Sequence, residues 1–280
     1  METTSRHNED LSLNAGIVRK VLVDFIRDET HHAGFTVGVV GLSGGVDSAV
    51  CASLAVEALG KENVRLVMMP YRTSNALSLS DAGLVAGRLG VPTELVDISP
   101  MVDAYLEPSG GNDRLRAGNV MARARMIVLY DISSREKGLV LGTSNKTELL
   151  LGYGTMFGDL ASAINPLGDL YKTQVWQLAE HMEVPRNIID KKPSADLWEG
   201  QTDEGDFGFS YPRVDHLLYC MVDERRTDNE LEHLGFETGF IAKVRRMMVQ
   251  NQFKRRLPLI AKISHRTINI DFRYPRDWGI

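Results

Sequence analysis

The chain has 280 residues, of which 43% are hydrophobic and 25% charged, a balance typical of a globular protein with a packed core. Its formal net charge of −5 at pH 7 weighs against a general nucleic-acid-binding protein, because such proteins usually carry a basic excess. The sequence has no run of about 18 apolar residues, so we expect no membrane-spanning segment.

The N-terminus and the cysteines favour a cytoplasmic protein. Residues 1–10 are polar and lack the apolar segment of a secretory signal peptide, so we expect a flexible arm there. The two cysteines, Cys51 and Cys220, are isolated and have no metal-binding spacing, which favours a reducing compartment. Cys51 lies in an apolar helical stretch and is expected to be a small core residue.

Helical and strand patterns alternate through the first half of the chain. The helices are predicted at Leu11–His32, Asp47–Leu59, Ser80–Leu89 and Arg114–Glu136. The strands are predicted at Thr36–Leu42, Val64–Met69, Glu94–Ile98 and Leu139–Gly142. This alternation predicts right-handed βαβ units, and hence an α/β fold with a doubly wound, Rossmann-like parallel sheet. The first helix is expected to bury an apolar stripe at four-residue spacing, formed by Leu13, Ile17, Val21 and Phe25 and widened by Val18, Leu22 and Ile26.

The second half predicts short helices and two long loops. The loops are Gly152–Asn165 and Pro193–Pro212, and loops of this length in a compact domain are usually functional or mobile. The helices are predicted at Lys172–Glu183, Val184–Asp190, Asp215–Asp223, Asp228–Leu234 and Thr238–Gln250. We therefore expect residues 1–280 to form a single domain with a helical C-terminal extension.

A glycine-rich segment connects the first strand to its helix. It reads Gly41-Leu42-Ser43-Gly44-Gly45-Val46-Asp47-Ser48. Adjacent glycines permit a tight turn, and backbone amides at the start of the helix form a site for an anion such as phosphate. An acid beside this site, Asp47, calls for a cation between carboxylate and phosphate, and Mg²⁺ binds in this way. The alternative is an ordinary strand–turn–helix connection, against which the placement of the acid argues.

The segment is neither a Walker A loop, which needs a lysine, nor a GxGxxG dinucleotide fingerprint. Its Ser43–Ser48 part resembles the pyrophosphate loop of the N-type ATP pyrophosphatases, which have an adenine nucleotide alpha hydrolase-like fold. That resemblance implies cleavage of ATP between its α and β phosphates. It also implies adenylation of a carbonyl or carboxyl oxygen, followed by a nucleophile that displaces AMP.

Three further motifs narrow the resemblance. They are Asn119-Val-Met-Ala-Arg-Ala-Arg-Met126, Gly142-Thr-Ser-Asn-Lys-Thr-Glu148, and Lys191-Lys-Pro-Ser-Ala-Asp-Leu197 followed by Gln201-Thr-Asp-Glu204. In this order they resemble the NAD synthetase family, over residues 11–259. The resemblance implies a carbon–nitrogen ligase that amidates deamido-NAD (nicotinic acid adenine dinucleotide) to NAD⁺, using ATP and ammonia and releasing AMP and pyrophosphate.

The resemblance assigns roles on the ATP side. Asp47 and Glu148 would share Mg²⁺, and both are expected at the C-terminal edge of the sheet. Thr143 would contact the adenosine part of ATP, and Ser194 would touch ATP through its hydroxyl group. Lys172 would neutralise phosphate charge, so Asp47 and Lys172 are implied in catalysis. The alternatives are a first-turn acid favoured by the helix dipole for Glu148 and a surface lysine for Lys172.

On the side of the second substrate, the resemblance implies that Arg123 and Lys254 bind deamido-NAD and that Asp159 handles the ammonia proton. Arg123 and Arg125 are two residues apart on one predicted helix and so face different directions. One of them is therefore expected to be structural. Lys254 lies in a charged run, so a solvated surface role is an equal alternative.

Three positions depart from the residues common in the family. Met156 replaces a lysine, Ala163 an aspartate and Phe253 a histidine. All three are on the deamido-NAD side, so adenylation is better supported than the identity of the substrate.

The expected partners also follow from the resemblance. About 35 residues precede the first predicted strand, whereas glutamine-using relatives carry a large amidase domain there. This implies free ammonia or a separate glutaminase subunit, and the sequence does not indicate such a subunit. A homodimer is implied, with the first helix and the Arg114–Glu136 helix as candidate interface elements.

Two other classes of function stay open. Another N-type ATP pyrophosphatase is one, but the amidating part of GMP synthetase lacks the Asn119–Met126 match, and thiolating enzymes usually need paired cysteines or a basic surface. A non-catalytic nucleotide-binding module is the other, but such a module needs no pair of metal carboxylates.

Overall fold

The computed structural model describes residues 11–107, 113–198, 200–256 and 258–268, so the expected N-terminal arm lies outside the described residues. One sheet contains four parallel strands, namely β1 (Val37–Gly41), β2 (Val64–Met68), β3 (Thr93–Leu95) and β4 (Gly138–Leu141). Their order is β3-β2-β1-β4, so the chain winds outward from β1 and then returns to place β4 on its other side. This order confirms the doubly wound parallel sheet. The reversal lies between β1 and β4, where ligands bind in such folds.

Helices cover the sheet and continue beyond it. Before β4 they are α1 (Ala15–His32), α2 (Val46–Leu59), α3 (Ala76–Leu89), α4 (Ser99–Leu106) and α5 (Arg114–Glu136). After β4 they are α6 (Lys146–Leu151), α7 (Lys172–His181), α8 (Arg186–Ile189), α9 (Asp203–Phe207), α10 (Tyr211–Leu218), α11 (Asp228–His233) and α12 (Thr238–Gln250). A π-helical turn, Tyr219–Asp223, extends α10. Within the described ranges, none of these helices is both long and apolar enough to cross a membrane.

Alternation along the strands divides the core into two layers. Val40 belongs to the layer shared with α1, α2 and α7, and its neighbour Val39 to the layer shared with α4 and α5. Both valines are fully buried, and each contributes about 1.5–3 kcal/mol through removal of its side chain from water. Cys51 is fully buried in the first layer, as expected from the sequence.

The C-terminal helices form a third cluster, which is rich in aromatic rings. Phe207 stacks on Phe209 with ring centroids 5.3 Å apart, and Tyr211 is fully buried in the same cluster. Trp176 of α7 packs against both this cluster and the sheet core. The helical extension is therefore attached to the sheet through α7.

The apolar stripe predicted for α1 is wrong at two positions. Ile17 and Val21 are 61% and 58% exposed, whereas Ile26, which belongs to the predicted stripe, is buried together with Val23. In a helix of 3.6 residues per turn, a strict four-residue repeat drifts by about 40° at each step. The stripe therefore turns away from the side that faces the core.

The region after β3 also differs from the prediction. The expected strand Glu94–Ile98 ends early, and it is followed by α4, which the sequence analysis missed. Asp97 accepts hydrogen bonds from the amide and the hydroxyl of Ser99, and these bonds stabilise the start of α4.

The expected loop Pro193–Pro212 contains α9, and the helix predicted to begin at Asp215 begins instead at Tyr211. Pro212 lies in the first turn of α10, where proline is tolerated because the first helical amides have no partner within the helix. In contrast, the expected loop Gly152–Asn165 contains no helix or strand, only one bridge from Ile164 to β4.

Candidate active site

The segment Gly41–Ser48 connects β1 to α2 at the C-terminal edge of the sheet. The Ser48 hydroxyl accepts a hydrogen bond from the amide of Ser43 at 3.2 Å and donates to the carbonyl of Gly45 at 2.9 Å. Gly44 has a φ of +78°, and a Cβ there would lie 2.1 Å from the carbonyl oxygen of Ser78, so the turn requires glycine. The first amides of α2 have no partner within the helix and can bind an anion at this turn.

A buried ion-pair cluster unites three of the predicted residues. The Lys172 ammonium group, at the start of α7, pairs with Asp47 of α2 and lies 3.7 Å from Oε1 of Glu148 of α6. Only 3% of the Lys172 side chain is exposed, which excludes the surface-lysine alternative. Asn145 donates from Nδ2 to Asp47 at 3.0 Å, and its Oδ1 accepts the amide of Glu148 at 2.9 Å. Asn145 therefore ties the two carboxylate-bearing helices together.

Burial, together with the charge of Asp47, raises the pKa of Glu148 to about 8. Burial acts to lower the pKa of Lys172, but Asp47 and Glu148 outweigh this effect and raise that pKa. Lys172 therefore keeps its charge, whereas the Glu148 carboxyl group takes up a proton more readily than an exposed one. A cation bound between the two carboxylates would favour the ionised form of Glu148.

The two carboxylates need further oxygen ligands, from water and from a bound nucleotide, to hold a metal ion. Among the described residues, no three His, Cys, Asp or Glu side chains are grouped as a metal site. Mg²⁺ needs fewer protein ligands, because it keeps water and binds phosphate oxygens. The donor set of Asp47 and Glu148 therefore fits Mg²⁺ that arrives with a nucleotide.

Asp215 of α10 supports the cluster, and the sequence analysis did not identify it. Its carboxylate accepts from Oγ1 of Thr147 at 2.6 Å and from the amide of Thr173 at 2.8 Å. It thus links the first turns of α6 and α7, which carry Glu148 and Lys172. A lone acid in a partly apolar helix gives no sequence signal of such a role.

Asn145 was also not identified, although the sequence does carry a signal for it. It begins an Asn-x-x-Glu pattern with Glu148, and this pattern is a capping box in the structure.

The remaining ATP candidates lie at the same edge of the sheet. Thr143 lies two residues after the end of β4, and Ser194 follows α8 and is exposed. The Ser194 hydroxyl accepts the amide of Asp196 at 3.1 Å. Asp196 in turn accepts the amide of Asn75 at 3.1 Å, which docks this segment on the start of α3.

Arg123 and Arg125 of α5 differ in their surroundings. Arg123 is exposed and donates to the carbonyl of Met156 at 3.3 Å, in the loop Gly152–Asn165. Arg125 donates to the carbonyl of Met69 at 3.1 Å, and burial lowers its pKa. Arg125 therefore has a structural role beside the end of β2, and Arg123 stays the candidate for substrate binding.

Lys254 and Asp159 also lie at the loop Gly152–Asn165. Lys254 donates to the carbonyls of Gly152 and Gly154, at 2.8 and 3.0 Å. Asp159 accepts the amide of Thr155 at 2.8 Å, and the Asp159 side chain is exposed. The substrate candidates are thus grouped around this loop, whereas the ATP candidates surround the glycine-rich segment.

Comparison with known proteins extends these observations. A model of the NAD synthase family matches residues 18–258. An NH(3)-dependent NAD(+) synthetase from Chlorobium phaeobacteroides (strain BS1) is 57% identical over 268 residues, which are 96% of this chain and 97% of the relative. The NH3-dependent NAD synthetase structure from Campylobacter jejuni is 35% identical with a TM-score of 0.77, over 89% of this chain and 100% of that one. The NMN synthetase structure from Francisella tularensis is 31% identical with a TM-score of 0.80, over 90% and 100%.

Because NAD synthetases are 57% and 35% identical to this chain over most of its length, the protein is an enzyme of the carbon–nitrogen ligase class. The match to residues 18–258 is more specific, and the chain belongs to the NAD synthase family.

Proposed function

We propose that the chain converts deamido-NAD to NAD⁺ with ATP and ammonia, releasing AMP and pyrophosphate. The observation that carries this proposal is the buried cluster of Asp47, Glu148 and Lys172 at the end of the glycine-rich segment. The 57% identity to an NH(3)-dependent NAD(+) synthetase supports the choice of substrate and nitrogen source. A pure nucleotide-binding module has no need for two coupled carboxylates beside its phosphate site.

On the nucleotide side, the glycine-rich segment binds the terminal phosphates of ATP through amides and serine hydroxyls. Lys172 offsets the negative charge that develops on pyrophosphate as it leaves. Mg²⁺, when held by Asp47 and Glu148, supplies further neutralisation of the phosphate oxygens. Thr143 and Ser194 contact the remainder of the nucleotide.

On the side of the second substrate, Arg123 and Lys254 bind the dinucleotide. The nicotinate carboxylate attacks the α-phosphorus of ATP, and the bond from that phosphorus to pyrophosphate breaks. Ammonia then attacks the acyl adenylate, so that a C–N bond forms, the C–O bond to AMP breaks, and Asp159 accepts a proton from the nitrogen.

Water must be excluded while the adenylate exists, and two loops are placed to do this. The hydroxyl of Tyr153, in the loop Gly152–Asn165, lies 3.0 Å from a carboxylate oxygen of Asp203 and 2.9 Å from one of Asp206. These contacts join the loop to α9, which lies in the second loop region. The two segments are therefore expected to close together.

The assembly proposed is a homodimer of single-domain chains acting in the cytoplasm, where ATP and dinucleotides are supplied. Large apolar side chains on α4 and α5 are exposed, which supports an interface there; they are Tyr105, Leu115, Ile127 and Tyr130. Sedimentation equilibrium should give about twice the chain mass of 31.2 kDa. A mass equal to one chain at micromolar concentration would reject the dimer.

The test of function compares two acceptors, because one similar structure is an NMN synthetase. The purified chain is incubated with ATP, Mg²⁺, ammonium and either deamido-NAD or nicotinate mononucleotide. We expect NAD⁺ from deamido-NAD, with one AMP and one pyrophosphate for each NAD⁺. Faster formation of NMN from the mononucleotide would reassign the substrate, and Met156, Ala163 and Phe253 would then be the first positions to exchange.

A further inference from the structure

Lys191 and Lys192 are neighbours in a motif that the proposed mechanism leaves without a role. Lys192 is exposed, whereas Lys191 reaches the glycine-rich segment. The Lys191 ammonium group lies 3.1 Å from Oγ of Ser78, 3.0 Å from Oδ2 of Asp81 and 3.5 Å from the carbonyl oxygen of Gly44. One ammonium group thus joins the segment after α8, the first two turns of α3 and the glycine-rich segment.

The glycine-rich segment and α3 touch at this point. A Cβ at Gly44 would lie 2.1 Å from the carbonyl oxygen of Ser78, so the two backbones are in contact. Asp81 is oriented by a second hydrogen bond, because its Oδ1 accepts from Nδ2 of Asn187 at 2.8 Å. The side chains of Lys191 and Asp81 are 27% and 13% exposed, so water screens this ion pair less than a surface pair.

We propose that Lys191 is a positioning residue for ATP, which clamps Gly44 against α3 in the conformation that binds pyrophosphate. The proposal rests on the proposed function in that ATP is the ligand of the glycine-rich segment. Without this ammonium group, the Asp81 carboxylate would stand unpaired beside the segment and repel phosphate. None of these three polar contacts of Lys191 involves the loop Gly152–Asn165, so binding of deamido-NAD should be unaffected.

Calorimetric titration with Mg²⁺-ATP, and separately with Mg²⁺-pyrophosphate, tests the clamp without requiring turnover. Lys191→Met is expected to weaken both affinities by about tenfold to a hundredfold, the usual effect of losing a charge-assisted contact. Lys192→Met is the matched control and should bind like wild type. Asp81→Asn should weaken binding less, and Lys191→Met/Asp81→Asn should be no weaker than Lys191→Met, because both changes remove the same pair.

Unchanged ATP affinity in Lys191→Met overturns the proposal, and so does an equal loss in Lys192→Met, which would point to general positive charge. In turnover assays, the KM for ATP should rise while the KM for deamido-NAD stays constant, and a parallel rise of both contradicts the clamp. Thermal unfolding verifies that each variant is folded. If Lys191→Met is not folded, Asp81→Asn, which keeps the side-chain volume, takes its place in the binding measurements. A wild-type chain that binds ATP but forms no NAD⁺ would refute the proposed function and leave the binding test valid.

Discussion

At the scale of the residue, Asp47 connects the glycine-rich segment to the buried ion-pair cluster. It pairs with the buried Lys172 and accepts a hydrogen bond from Asn145. A buried ammonium group is stable only with such a partner, because an unpaired buried charge is costly. The same carboxylate is the one that the sequence motif singles out for Mg²⁺.

Asp47→Asn is expected to lower kcat for NAD⁺ formation by about 100-fold or more, since it removes a metal carboxylate and the main partner of Lys172. The change keeps the side-chain volume, and the fold is monitored by thermal unfolding. Glu57→Gln is the matched control, because Glu57 lies on the same helix and pairs with Arg19 at the surface. Turnover of Asp47→Asn near the wild-type rate would rule out the metal role.

At the scale of the element, α6 and α7 are held together by an acid from a third helix. Asp215 bonds to the first turn of each helix, through Thr147 and the amide of Thr173. Burial raises the pKa of Asp215 to about 6, compared with about 3.9 for an unfolded chain. Compared with the unfolded chain, the folded state therefore stabilises the protonated form of the Asp215 carboxyl group.

The sign of the resulting pH dependence follows from linkage. The stability that the protonated form contributes is largest below the unfolded pKa of about 3.9 and is lost as the pH rises through about 6, by about 3 kcal/mol in total. Asp215→Asn does not titrate, so between pH 4 and pH 7 its unfolding free energy should rise by about 2 kcal/mol relative to that of wild type. Urea unfolding at the two pH values measures this difference. Glu148 is present in both proteins, so its contribution cancels when the two unfolding free energies are subtracted. A difference that does not change with pH would show that Asp215 is not buried in this way.

The sequence predicts some elements better than others for physical reasons. The bounds of α5 agree with the prediction, because Asp113 caps its start and Lys137 ends it in a left-handed conformation. The short helix α9, which is polar, and the first turn of α10, which contains Pro212, could not be predicted from local sequence. They are stabilised by tertiary packing of Phe207 and Tyr211 in the aromatic cluster, and this packing is not a local property.

At the scale of the whole molecule, the candidate site combines both halves of the chain. The glycine-rich segment could be recognised from sequence alone, because the residues of that turn are contiguous. The contact between Thr147 and Asp215 joins residues 68 positions apart, and no local pattern predicts it. The motifs therefore identify the groups that carry the chemistry, whereas the contacts through which the helical extension positions them become visible only in the structure.

The proposed reaction activates a carboxylate by adenylation before ammonia reacts. The most direct test mixes the chain with ATP, Mg²⁺ and deamido-NAD in the absence of ammonia and measures pyrophosphate. We expect a release that depends on deamido-NAD, ends near one equivalent per chain and is absent in Asp47→Asn. Release without deamido-NAD, or no release until ammonia is added, would contradict the account.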